Sequence, residues 1–222
     1  AVSYLGTSVL TGRGDGSHTF TSAGVSFPIG VRFDAGTGSY TLQDDLTITE
    51  NTYATGVTSG TLYLNNKTLQ APYYISGLIA YGNNPIVEFG STGVINVTRT
   101  SGSVFSVAST TVLNGTGTIV VSGSSASGKT FSSSGISFPN ITINSGVDNL
   151  SITSNGNTFS CKTLTINNAG GANGTIFTKG QTYTVTGFVA TGSAGNLVKL
   201  TSSQSGVAFT LSKSSGTVAC DY

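Results

Sequence analysis

Few residues in this chain have types that could carry chemistry, and their spacing decides what they can do. His18 is the only histidine. It opens His18-Thr19-Phe20-Thr21-Ser22-Ala23-Gly24-Val25-Ser26-Phe27-Pro28, a segment that returns as Lys129-Thr130-Phe131-Ser132-Ser133-Ser134-Gly135-Ile136-Ser137-Phe138-Pro139. Lysine stands in the histidine's place in the second copy, so the position reads as a solvated strand start rather than a base or ligand. Polysaccharide-cleaving β-proteins need two carboxyl groups flanking one bond. The candidates are Asp44 and Asp45 with Glu50 nearby, yet adjacent residues of a strand point to opposite faces, and this pair reads as a turn before Leu46. Serine and threonine are too abundant for any one to stand out as a nucleophile, and no Gly-x-Ser-x-Gly elbow occurs. Asp15 and Asp34 lack the Asp-x-Asp-x-Asp spacing of a calcium loop. One histidine and two distant cysteines, Cys161 and Cys220, carry no zinc spacing. The cysteines are compatible with a disulfide or with two buried thiols. No catalytic residue, cofactor or metal is expected.

Two short patterns have bland readings that outweigh the sharp ones. Arg13-Gly14-Asp15 matches an integrin-read tripeptide, but in a glycine-rich stretch it reads as a turn before the first strand. Sequons at Asn66, Asn96, Asn114, Asn140, Asn149 and Asn173 arise readily in a chain this rich in Asn, Ser and Thr. The outward-facing ones are glycosylation candidates if the source modifies its surfaces. The better binding candidates are aromatic. Tyr73, Tyr74 and Tyr81 cluster around Pro72 and Pro85 in a stretch poor in charge, where rings could stack on sugars or partner subunits.

These residues must be positioned by strands. Only 8% of the 222 residues are charged and the net charge is +1, with 31 Gly, no Met and no Trp. A basic nucleic-acid footprint is missing, disorder does not fit the hydropathy, and apolar runs are too short for a membrane-spanning helix. No helical periodicity is sustained. Instead, alternating runs such as Leu46-Thr47-Ile48, Val94-Ile95-Asn96-Val97, Thr118-Ile119-Val120-Val121 and Thr163-Leu164-Thr165-Ile166 recur about every ten residues between Gly- and Asn-rich turns. The fold class is all-β. A right-handed parallel β-helix is expected, with tandem β-sandwiches as the alternative. The repeat, in which Lys129 answers His18 half a chain later, divides the sequence into 1–16, an N-terminal contact segment, and two related halves. These are 17–128 and 129–222, which could form one continuous solenoid.

The second half carries a family resemblance. Phe138-Pro139-Asn140-Ile141-Thr142-Ile143, Thr163-Leu164-Thr165-Ile166, Tyr183-Thr184-Val185-Thr186-Gly187-Phe188 and Phe209-Thr210-Leu211-Ser212-Lys213 follow in an order that resembles repetitive β-rich proteins. These are common in phages of aquatic bacteria and occur in bacterial surface proteins. The resemblance covers 129–222 well and 17–70 more loosely. It implies a non-enzymatic structural or adhesive fibre component of a virion, acting in assembly or host attachment. The alternatives are a secreted surface filament or adhesin subunit and, third, a polysaccharide lyase or hydrolase. The implied location is extracellular or on the virion surface. Expected partners are further copies of the chain through its terminal segments, other fibre proteins and host glycans, with neither nucleic acid nor membrane insertion. Members of that family run on past the equivalent of Val218–Tyr222. The chain therefore reads as a segment of a longer protein, or as one whose last strand a neighbouring subunit completes.

Overall fold

A computed structural model describes residues 9–77, 84–167 and 171–213, and the backbone alone of 218–221. Twenty-three strands and no helix occupy the described residues. All strand pairs are parallel, and the chain winds as a right-handed parallel β-helix of about eight turns. The right hand is the one expected when a twisted strand crosses over to a parallel neighbour.

Three faces run the length of the solenoid, each with nine rungs. The first begins at Val9–Arg13 and continues through 30–34, 56–59, Tyr74–Ser76 and Gly102–Val107 to Leu200–Ser202. The second runs from Ser17–Phe20 to Thr210–Lys213, and the third from Ser26–Phe27 to Val218–Asp221. Coil length is uneven. Thr55 pairs with Tyr74 and Tyr74 with Phe105, so a short coil is followed by a much longer one.

Period-2 patterning produces this cross-section directly. Inward residues of the third face form a column, Leu46, Leu69, Ile95, Ile119, Ile141 and Leu164, each at most 1% exposed. Burying each such side chain contributes about 1.5–3 kcal/mol. The first face stacks rings instead. Tyr74, Phe105 and Phe131 lie nearly parallel, with centroids 5.2 and 4.6 Å apart.

The sequence repeat has a geometric meaning that its spacing did not show. Phe20 lies on the second face and Phe27 on the third; Phe131 lies on the first and Phe138 on the second. The two copies therefore build different corners, and the offset between them is not a whole number of coils. Each copy is a corner module. Ala23-Gly24 and Ser134-Gly135 take two successive left-handed conformations (φ 53° and 73°; 46° and 82°). Each turn closes through a bond from the amide of Val25 to Ser22 O, or of Ile136 to Ser133 O, as in a type I′ turn. A phenylalanine pair then packs across the turn, at 5.8 and 5.4 Å. Pairing continues through 128/129, with Lys129–Ser132 stacked on Gly102–Val107, so the described chain is one unbroken solenoid.

Candidate functional site

The strands place Tyr73 and Tyr74 on opposite sides of the wall. Tyr74 points inward and is wholly buried in the ring column. Its hydroxyl is sealed beside Ser76 without a well-formed hydrogen bond, and burial pushes its pKa upward. The expectation that Tyr74 offers a ring to a ligand is therefore corrected: period-2 alternation assigns it to the core, and a YY pair can present only one ring outward. Tyr81 lies outside the described residues.

Tyr73 remains half-exposed. Its ring is covered by the Arg99 guanidinium at 5.0 Å from the centroid, a cation–π contact. Arg99 is anchored in turn by donating from Nη1 to Ser103 O at 3.2 Å. Tyr73 forms one wall of a half-open groove of about 220 Å³ on the first face, with Arg32, Tyr53, Thr58, Ile75 and Gly77. That volume is below the range of drug-sized pockets. The groove exists because two coils approach closely beneath it. A Cβ on Gly56 would sit 1.6 Å from Ile75 O, so only glycine allows this contact. The 49–54 loop then rises beside it, its turn held by Glu50 accepting from the Thr52 amide.

The candidate carboxylates have a different use. Asp44 accepts from the Ser22 amide at 2.7 Å, one coil back; Asp45 accepts from the Thr68 amide at 2.8 Å, one coil ahead. Asp15 holds the Thr37 amide, Asp34 the Ser59 hydroxyl, and Glu88 the Asn114 side-chain amide. Asp148 accepts from the amides of Asn173 and Gly174. Six of the seven carboxylates with described side chains thus tie one coil to the next, and Glu50 holds its own loop. The Ser22 amide, with the Ser22 hydroxyl and the Ala23 and Gly24 amides, holds the Asp44 carboxyl below its ordinary range against an opposing cost of desolvation. Burial opposes ionisation of Asp148, but the amides of Gly174, Asn149 and Asn173 outweigh it and its pKa also falls. Lys129, 1% exposed, donates to the carbonyls of Ser125 and Ser127. Burial lowers its pKa, with the Asp148 charge opposing. The reading of the His18/Lys129 position as a solvated strand start is corrected at Lys129, whose place in the alternating run KTFS turns it inward, and sequence reading does not single out Asp148.

The remaining candidates resolve similarly. His18 lies beside Tyr40, with ring centroids 5.1 Å apart, and its Nε2 is 3.2 Å from Asp15 O. Arg13 pairs with Asp34 at 3.4 Å while Asp15 is turned to Thr37, so the tripeptide's two charges are engaged within the fold. No group of three metal-ligating side chains occurs among the described residues. Of the six sequon asparagines, Asn96, Asn114, Asn140, Asn149 and Asn173 each donate their Nδ2 hydrogens within the fold, mostly to a neighbouring coil. Cys161 is a buried thiol, its pKa pushed up to about 12 by burial. It pairs with Val185, whereas Cys220 pairs with Ala190, five positions further along that strand. The two cysteines flank that strand from opposite sides, so two rungs of ~4.8 Å, roughly 9.6 Å, separate them along the axis alone, beyond the ~7 Å limit for a disulfide.

No protein-family model, curated protein or solved structure matches the chain.

Proposed function

We propose that this chain is a non-enzymatic structural and adhesive rod, a fibre or appendage component working outside the cell. The observation that carries the reading is the use of its carboxylates: six of the seven described bridge adjacent coils. A polysaccharide-cleaving β-helix needs carboxyl groups free to face a sugar, whereas a rod that must resist shear and proteolysis gains from polar ties between every coil. Outward Asn and Gln side chains add to these ties, as where Asn96 donates to Gln70 at 3.0 Å and accepts from Ser122 at 2.7 Å.

The resemblance of residues 129–222 to repetitive phage and bacterial surface proteins supports placing this rod on a virion. Its partners on this reading are other copies, other fibre proteins and the glycans of a host surface. Immunogold electron microscopy of the native source is the test. Gold particles along a virion fibre are expected; a label confined to the cell interior would overturn the proposal. Depolymerisation of a host polysaccharide by purified protein, lost in Asp45→Ala, would replace it with the hydrolase reading.

A further inference from the structure

The Tyr73 groove holds a positive charge that the fold does not use. Arg32 lines it from an outward, half-buried position between the inward Val31 and Phe33. Of the chain's three arginines, Arg13 pairs with Asp34, and Arg99 donates to Ser103 O. Arg32 has no hydrogen-bond or ion-pair partner among the described residues. The carboxylates on neighbouring elements are engaged elsewhere, Asp34 with Arg13 and Ser59, and Glu50 with the Thr52 amide. The next rung sets Gly56 against Arg32, so that rung stacks no side chain on it. A second fixed cation stands beside the groove, where the Arg99 guanidinium lies 5.0 Å from the Tyr73 centroid. No carboxylate is among the described residues that line it.

An anion complements this charge, and the rest of the lining narrows its class. A guanidinium presents parallel N–H donors that match a planar carboxylate in bidentate fashion. Phosphate and sulfate carry more oxygens and call for a nest of amides or a cluster of cations. Tyr53 and Tyr73 add two half-exposed rings to the lining. Such rings pair broad apolar contact with a polar tip, which suits the C–H face and hydroxyls of a sugar. Thr58 Oγ1 donates to Phe33 O at 3.2 Å, which leaves its lone pairs to accept from a ligand hydroxyl. An acidic peptide would instead seek a free strand edge, and the 30–34, 56–59 and Tyr74–Ser76 strands are already paired in the stack. At about 220 Å³ the groove admits one sugar ring rather than a chain. We propose that it binds a terminal sugar bearing a ring carboxylate, a hexuronate in the simplest case. Arg32 pairs with the carboxylate, and Tyr53 and Tyr73 hold the ring. This deepens the adhesive reading above and rests on it for the source of the sugar, an acidic glycan of a host surface.

The test is isothermal titration with saturation-transfer NMR on the full chain. The probes are methyl β-D-glucuronide and its neutral parent, methyl β-D-glucoside. Wild-type protein should bind the glucuronide roughly tenfold or more tightly than the glucoside, through the charge-assisted pair. Arg32→Gln should reduce glucuronide binding to the glucoside level and keep the wild-type circular dichroism. Tyr53→Ala should weaken both probes. Lys162→Gln, which removes the same charge at an exposed site off the first face, should change neither. Equal affinity for the two probes overturns the proposal. So does a glucuronide affinity that survives Arg32→Gln, or one that falls as far in Lys162→Gln. Displacement of the glucuronide by an equal concentration of acetate also overturns it, because the ring would then contribute nothing. The adhesive reading fails separately. Binding to neutral host glycans on an array, undiminished by Arg32→Gln, would keep that role and end this proposal. An immunogold label confined to the cell interior, with Arg32-dependent glucuronide binding intact, would end that role and uphold the groove's chemistry.

Discussion

The first and third faces are built from the same coils and end with different properties. On the third face every rung stacks without a bulge, and its inward column is aliphatic from Leu46 to Leu164, with Phe188 on the next rung. On the first face the register slips between Phe33 and Asp34 and again between Gly102–Val107 and Lys129–Ser132, with a further shift at the corner from Asp34 to Ser39 that leads to the second face. The inward column there carries the stacked rings of Tyr74, Phe105 and Phe131, and the wall carries the Tyr73 groove. The two differences are connected. The short coil from Thr55 and the long coil to Phe105 meet at Tyr74, so length variation enters at the corners flanking the first face. Stacked rings fill the wider, less even space that results, because offset aromatic pairs accept variable separations. A solenoid can therefore absorb insertions on one side while keeping another side periodic.

Breaking the ring column is the largest expected effect. Phe105 stacks between Tyr74 and Phe131 and meets Phe138 edge-on. Phe105→Ala should cost about 3–5 kcal/mol. Denaturant melts should show this as a lower midpoint. If coils unfold semi-independently, as in other repeat proteins, a second transition should also appear.

Two glycines sharpen the same comparison. Gly56→Ala drives a Cβ into Ile75 O beneath the groove, where backbone must move. A loss above about 2 kcal/mol is expected. Gly187→Ala on the third face meets only the Thr163 side chain, at 3.1 Å, and should stay within about 1 kcal/mol. Equal losses at the two sites would show that the faces are equally tight.

Acid should loosen the coil-to-coil ties of Asp44 and Asp148 and the 49–54 loop held by Glu50. The folded pKa values of Asp44, Glu50 and Asp148 lie below their ordinary values. Their contribution is therefore complete above about pH 4 and is lost as pH falls through the folded values. Melting temperature should be flat from pH 7 to 5 and drop below pH 4. Asp148→Asn removes one such site and sets a donor against the Asn173 amide. It should cost about 1–3 kcal/mol at pH 7 and flatten the acid limb. An unchanged acid limb would mean that Asp148 contributes nothing through its charge.

The strands were legible because alternation in runs such as Leu46-Thr47-Ile48 is local and unbroken. The parallel, stacked arrangement was legible from the spacing and the low charge. The site was not. Tyr73 and Tyr74 are adjacent in sequence, and only the register with Phe105 determines which ring faces inward. The ties of Asp44 and Asp45 reach 22 and 23 residues away, to partners that no local pattern marks. The repeat misled for a related reason. A strand–turn–strand corner is the same local object wherever it sits, so its recurrence shows a shared module and not a shared position around the axis.

That last point gives the smallest expected effect and the finest test of the corner module. Among the described residues, Ala23-Gly24, Asn65-Asn66, Ser134-Gly135 and Asn155-Gly156 each place two successive residues in the left-handed region. Asparagine tolerates this conformation best among residues with a side chain, and alanine and serine less well, because Cβ approaches the following carbonyl. Ser134 is half-exposed, so changing it disturbs little packing. Ser134→Asn should therefore stabilise the chain by under about 1 kcal/mol. Asn155→Ala should destabilise by a similar amount, with a further loss from the bond that Asn155 Nδ2 donates to Ser132 Oγ at 2.9 Å. Neither change reaches the third face, so its stacking and its solvent-facing columns should be unaffected. Hydrogen exchange would check both halves of the claim. Protection of the Ile136 amide, which closes the 133–136 turn, should rise in Ser134→Asn, while that of Ile119 and Ile141 stays unchanged. A rise spread evenly over all three faces would show that corner strain is shared along the whole solenoid and not confined to the corner.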